Sequence, residues 1–289
     1  MRYSRGGVIA VLVAVEIFIT GAILWSLGRH GFTVSAGGPQ RLSESGKTFA
    51  PIDAGSAPHV VIDDARSGVG ITASTDGKVH VTDASHAFGW FVGGASRPAL
   101  QVSRTADGVL VARAAEQRVR FSIFGFDEQH IDVAVPPAAL LEIRRCSGAN
   151  VNGLTGQVRV HSVDGRITAN HIHASALALS SDDGSLRLDD VTAPAIDAST
   201  RDGSIRAHAL QVGGGTLHTD DGSVRVQLLP SNLTVRAHTA DGSIYFNGTK
   251  SVASDSDEAA GEFQVGSGGS PLQVSSQDGS IHITTNGAQ

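Results

Sequence analysis

Arg187, Arg206 and Arg225 recur at intervals of 19 residues. Guanidinium groups brought onto one surface at a fixed interval would hold carboxylate or phosphate groups through paired N–H···O bonds. Phe88, Trp90 and Phe91 form a second candidate ligand surface, because exposed rings pack against sugars and apolar partners. The same residues have plainer readings. Arginines commonly sit on a mixed, solvated face, and bulky rings cover the open end of a stack of repeats; that covering role is the favoured reading of the aromatic segment.

Other residue types recur without assembling a reactive site. Asp164, Asp183, Asp202, Asp221, Asp241 and Asp278 form a series, but calcium takes six to eight oxygens and one carboxylate per repeat is too few. His218 and His238 hold equal repeat positions and are expected to be stack neighbours; zinc would need further ligands, and no cysteine lies nearby. No G-x-S-x-G elbow sits on a strand–turn–helix pattern. Cys146 is the one cysteine, which excludes an intramolecular disulfide. Arg144 and Arg145 beside it would lower its pKa, whereas a small residue filling a strand position is the simpler reading. The sequence thus assigns no catalytic residue, no metal and no cofactor.

The repeat sets what must position these groups. Asp-Gly occurs eight times, and from Asp164 the intervals are 19, 19, 19, 20 and 37 residues. Two residues before each Asp stands a small hydroxyl: Ser162, Ser181, Thr200, Thr219, Thr239 and Ser276. Three after it stands an aliphatic residue: Ile167, Leu186, Ile205, Val224, Ile244 and Ile281. Apolar residues alternate on both sides, so each unit reads strand–turn–strand. The fold class is all-β, and two architectures fit. One is a parallel β-solenoid of ~19-residue coils, in which like positions stack at about 4.8 Å. The alternative is an antiparallel meander or sandwich of hairpins with Asp-Gly as each two-residue turn. The near-constant period favours the solenoid, because unequal coils would break its columns of side chains. Its insertions, such as residues 250–269, are expected to loop out of one corner.

The segment HIDVAVPPAALLEIRRCSGANVNGLTGQVRVHSVDGRI, His130 to Ile167, and the closing SGGSPLQVSSQDGSIHIT resemble the DUF4097 family of adhesin-named proteins. The resemblance covers roughly residues 58–285. It implies a repetitive, solenoid-like extracytoplasmic domain, often behind an anchor, and carries over no catalytic residue. The aromatic segment Phe88–Phe91 departs from the family pattern.

Residues 8–27, VIAVLVAVEIFITGAILWSL, are almost wholly apolar. Twenty residues at 1.5 Å rise match the roughly 30 Å of a bilayer core. Arg2 and Arg5 before them read as an export signal's cationic start. The length favours an uncleaved single-pass anchor over cleavage after Val34-Ser35-Ala36. The expected organisation is an anchor at 1–30, a Gly/Ser/Ala/Pro-rich linker at 31–55 and an extracytoplasmic β-repeat domain at 56–289. A net charge of −6 with no basic run argues against a nucleic-acid partner. The function expected is non-enzymatic: an adhesin or scaffold of the cell envelope, held to the membrane by residues 8–27 and facing polysaccharide or protein. The alternatives are an envelope-stress sensor and a β-helix enzyme acting on polysaccharide.

Overall fold

The computed structural model describes residues 40–44, 46–92, 99–113, 121–252 and 259–285, and residues 8–27 lie outside them. Every regular element described is a strand. In chain order they are β1 (Gln40–Glu44), β2 (Lys47–Thr48), β3 (His59–Asp63), β4 (Gly68–Ala73), β5 (His80–Asp83), β6 (His86–Val92), β7 (Leu100–Arg104), β8 (Gly108–Arg113), β9 (Phe121–Glu128) and β10 (His130–Val135). The repeats then supply β11 (Leu140–Arg145), β12 (Gly148–Asn152), β13 (Gln157–Ser162), β14 (Ile167–His173), β15 (Ala176–Ser181), β16 (Leu186–Ala193), β17 (Ile196–Asp202), β18 (Ile205–Val212), β19 (Gly215–Asp221) and β20 (Val224–Leu228). Last come β21 (Leu233–Asp241), β22 (Ile244–Phe246), β23 (Thr249–Val252), β24 (Ala259–Val265), β25 (Ser270–Asp278) and β26 (Ile281–Thr285).

The chain divides into two compact units: residues 1–44, 87–98 and 115–126, and residues 45–86, 99–114 and 127–289. Within its described residues the first is a three-stranded sheet in the order β1-β6-β9, with β1 antiparallel to β6. Thus Gln40–Glu44 and Lys47–Thr48, inside the stretch read as linker, are in strands.

In the second unit, from Asp164 onward, the strand before each Asp-Gly enters one sheet and the strand after it enters a second sheet, whereas Asp107-Gly108 joins the antiparallel pair β7 and β8. Each such pair is one coil. β13, β15, β17 and β19 pair parallel in unbroken register, as do β14, β16 and β18 opposite them. The antiparallel meander does not describe these repeats, because the two strands flanking a turn lie in different sheets. Ile167, Leu186, Ile205, Val224, Ile281 and Ile244 form one interior column, each at most 1% exposed. In the opposite sheet, Val160, Leu179, Ala198, Leu217, Val274 and Ala237 form the facing column.

The hydroxyl two residues before each Asp is buried at the corner between the sheets. Thr200 Oγ1 donates to the Gly184 carbonyl at 2.6 Å and Thr219 Oγ1 to the Gly203 carbonyl at 2.6 Å. Ser276 Oγ and Thr239 Oγ1 repeat the bond at 2.8 Å, to Gly222 and Gly279 respectively. Each bond crosses from one coil to its neighbour. The glycine follows from the same packing: a Cβ on Gly203 would stand 2.5 Å from the Gly184 carbonyl oxygen. These Asp-Gly glycines are not at positive φ. Close approach of backbones, rather than hairpin geometry, is what demands glycine here.

A second corner lies inside the strands of the other sheet. His171, Asp190 and Ala209 have φ of 50°, 54° and 53°, and the residues on both sides remain paired in register. Each is an extra residue in a left-handed conformation, which bends the strand so that Leu188 and Val191, or Ala207 and Leu210, both face inward.

At both ends of the stack, sequence order and stacking order part. β8 and β10 form the outermost coil, and the coil of β3 and β4, earlier in the chain, is tucked inside it. At the other end the last coil, β25 with β26, inserts between β19/β20 and β21/β22. His218 and His238 are therefore not neighbours; Ser275 stands between them. The expected corner loop at residues 250–269 is corrected too. β23 and β24 lie there and pair antiparallel with β22 and β21 at the sheet edges, while residues 253–258 lie outside the described residues. Strands β7 and β5 cover the opposite edges in the same way. Exposed parallel edges would recruit other chains, and antiparallel closing strands block direct extension of the stack.

Gly203→Ala is expected to cost about 1–3 kcal/mol through overpacking. Ala209→Gly should instead stabilise by about 1 kcal/mol, by relieving a left-handed alanine. Chemical denaturation checks both; a stabilised Gly203→Ala would remove the close-approach explanation.

Candidate binding surface

Parallel register turns each outward-facing repeat position into a column. Arg187, Arg206 and Arg225 are register partners on β16, β18 and β20, followed by His282 on β26 and Tyr245 on β22. All three arginines are exposed. The structure therefore brings together the arginines that the period put on one face. Beside them runs a parallel column of Asp189, His208, Gln227 and Thr284. The two columns line an open trough of about 500 Å³ with Leu188, Ala207 and Val226 beneath.

The arginines form no ion pair with a carboxylate among the described residues. Asp189, their nearest acidic column mate, is held instead by His208 Nδ1 at 2.9 Å. Other arginines behave differently. Arg201 meets Asp183 at 2.7 Å, Arg145 meets Asp63 at 2.9 Å and Arg236 meets Glu262 at 3.1 Å. The charge of the column ends at His282, whose ring stacks on Tyr245 with centroids 4.6 Å apart. Burial, and then the Arg225 charge, push the His282 pKa below its usual value, so the imidazole stays neutral at pH 7.

On the opposite sheet the column His161, Ser180, Ser199, His218, Ser275, His238 is polar. His218 Nδ1 lies 2.8 Å from Ser275 Oγ, and its Nε2 lies 3.0 Å from Asp220 Oδ1. Sequence reasoning missed this Ser–His–Asp line, because the tucked last coil brings Ser275 beside His218. Among the described residues no further part of a nucleophilic site stands beside it. The backbone N–H groups around it are spent in the parallel ladder, leaving no paired donors for an oxyanion. Among the described residues no three His, Cys, Asp or Glu side chains converge on a metal-binding geometry.

Phe88, Trp90 and Phe91 lie on β6 in the smaller unit. Phe88 and Trp90 are 45% and 39% exposed, and Phe88 sits 6.3 Å from Phe126. Cys146 is fully buried, and burial raises its thiol pKa, so the neighbouring arginines do not activate it.

A buried charge cluster was also missed. Arg113 Nε donates to Asp64 at 2.8 Å and its terminal nitrogen to Asp83 at 2.9 Å, all three at most 15% exposed. Asp64 also accepts from Ser67 Oγ at 2.7 Å. The cluster ties the turn after β3 to the ends of β5 and β8. Two carboxylates converge here, and the guanidinium between them offsets one of their two charges while bonding to both. Burial would raise the Asp83 carboxyl; the Ser85 hydroxyl and the Arg113 charge outweigh it and hold it below the usual value.

The chain belongs to the DUF4097 family, described as Toastrack, whose model matches residues 59–284. No curated protein matches. Among solved structures it is similar to a "putative adhesin" from Parabacteroides merdae, at 8% identity over 84% of this chain and 96% of that chain, TM-score 0.45. A "putative adhesin" from Bacteroides fragilis aligns at 13% identity over 84% and 98%, TM-score 0.41. A "putative cell adhesion protein" from Clostridium sporogenes aligns at 10% identity over 86% and 100%, TM-score 0.37.

A carboxylate held below its unfolded pKa stabilises the fold above that pKa, and the contribution is lost as pH falls through the folded value. Stability should therefore decline below about pH 4, the unfolded Asp value. Arg113→Met should cost about 3–5 kcal/mol at pH 7 by stranding two buried carboxylates, and should shrink this acid-side loss. Denaturation at pH 7 and pH 3 measures both; an unchanged midpoint in the variant would remove the cluster from the account of stability.

Proposed function

We propose that this is a single-pass membrane protein whose Toastrack domain works outside the cytoplasm as a non-enzymatic adhesin or scaffold, presenting its sheet faces to envelope polysaccharide or protein. The observation that carries this reading is the columnar order of the outer faces. A parallel stack repeats each exposed side chain at about 4.8 Å, which suits many shallow contacts with an extended partner better than one deep site. The polar groups that do meet, including the Ser275–His218–Asp220 line, sit on an open sheet rather than in a concave site with convergent acid, base and oxyanion donors. Anchoring rests on the apolar stretch at residues 8–27 and the arginines before it. An anchor that holds a long binding face beyond the bilayer fits adhesion or scaffolding better than a soluble enzyme.

A C-terminal fusion to a reporter active only after export is expected to be active, with the protein in the membrane fraction. A cytoplasmically active fusion would overturn the topology. The purified protein, screened on glycan and envelope-protein arrays, should bind without turnover; release of sugar or peptide products would overturn the non-enzymatic reading.

A further inference from the structure

The arginine column carries a more specific reading, which rests on the surface function proposed above. Arg187, Arg206 and Arg225 stand on three successive coils, in register, exposed and without a carboxylate partner among the described residues. Like charges set directly opposite each other across paired strands repel and destabilise a sheet. The fold does not require arginine there: the same column carries Thr168 one coil earlier and His282 and Tyr245 further on. Neighbouring positions show how such a charge is normally satisfied, as Arg201 is by Asp183 on the coil before it.

We propose that this column is a binding site for a linear acidic polysaccharide carrying one carboxylate per sugar, laid along the stack axis in the trough, with the carboxylates that face the sheet held by Arg187, Arg206 and Arg225. Three features choose this ligand. Arg187 and Arg225 stand two coils apart, about 9.6 Å, close to the advance of two sugars in an extended pyranose chain, in which alternate carboxylates face the same side and Arg206 lies between them. An extended acidic peptide presents same-face side chains every second residue, at about 6.6 Å, an interval that matches neither one coil nor two. Guanidinium groups bind carboxylates in a planar, two-bond geometry. The adjacent Asp189, His208, Gln227 and Thr284 line the other side of the trough and offer hydrogen-bonding groups to sugar hydroxyls. The chain's net charge of −6 disfavours polyanions in general, so attraction is confined to the column and depends on matching it.

The test uses the full-length protein in detergent micelles and end-labelled oligogalacturonates of one to five sugars, read by fluorescence anisotropy. Affinity should rise steeply from one sugar to three and then level off, because three sugars span Arg187 to Arg225. Arg206→Gln should weaken the trimer about tenfold, the scale of losing one charge-assisted pair, and the triple Arg→Gln variant should abolish binding. Arg159→Gln, an exposed arginine on the opposite sheet, should change nothing. Methyl-esterified oligomers, tri-aspartate peptide and short polyphosphate should bind at least about tenfold more weakly than the trimer. Wild-type affinity in the triple variant, equal binding of all anions of like charge, or no trimer binding by the wild type would each overturn the proposal. If the trimer fails while glycan or envelope-protein arrays still show binding, only this ligand assignment falls; if both fail, the surface function falls with it.

Discussion

The structure depends on one repeated contact, the hydroxyl of one coil donating to the glycine carbonyl of the next at the corner between the two sheets. A buried corner leaves backbone carbonyls away from water, and each unmet carbonyl costs of order 1–3 kcal/mol. Ser181, Thr200, Thr219, Ser276 and Thr239 meet that need from one coil to the next. They can do so only because the facing residue has no side chain, so that backbones close to bonding distance. Ser/Thr, one residue, then Asp-Gly is accordingly one structural unit. The hydroxyl and the glycine fix where a coil turns, and the turn fixes the register of every column above and below it.

The ends depend on a different solution. A stack built only of such coils would finish in two parallel edges with unmatched backbone groups. Here each end places a coil out of sequence order and lays antiparallel strands along its edge. The long interval between Asp241 and Asp278 is the chain needed to build that edge and return. The last coil then enters between two others, so β25 carries hydrogen bonds on both sides. At the opposite end the Arg113–Asp64–Asp83 cluster fixes the first turn with charge rather than with the hydroxyl–glycine pair.

Because the interior is so regular, surface chemistry is written one position at a time and repeated by the register. A column of threonine, arginine or serine is equally compatible with the core beneath it. That freedom is why the arginines of one face, which pair with no carboxylate among the described residues, and the His–Ser ladder of the other are informative, whereas Asp183 and Asp63, drawn into pairs with Arg201 and Arg145, are accounted for by local charge balance.

The sequence by itself determined that the repeat domain is all-β, that its repeats count about 19 residues and that Ile167, Leu186, Ile205, Val224 and Ile244 face one interior. Side-chain alternation has period 2 and a coil has fixed length, so both leave marks in a single chain. It also placed Arg187, Arg206 and Arg225 on one face, since equal offsets in equal coils must align. Tertiary structure alone decided the stacking order. Asp221 and Asp241 are 20 residues apart, and nothing local tells coil β21/β22 that the last coil will come between them; interchangeable corners make the two arrangements alike in sequence. The Ser275–His218 contact, the separation of His218 from His238 and the pairing of Arg113 with Asp64 and Asp83 all follow from that long-range choice. The reason for glycine after the Asp of each stacked repeat, from Asp164 onward, was equally out of reach: a hairpin turn and a close backbone contact ask for the same residue, and only the neighbouring coil distinguishes them.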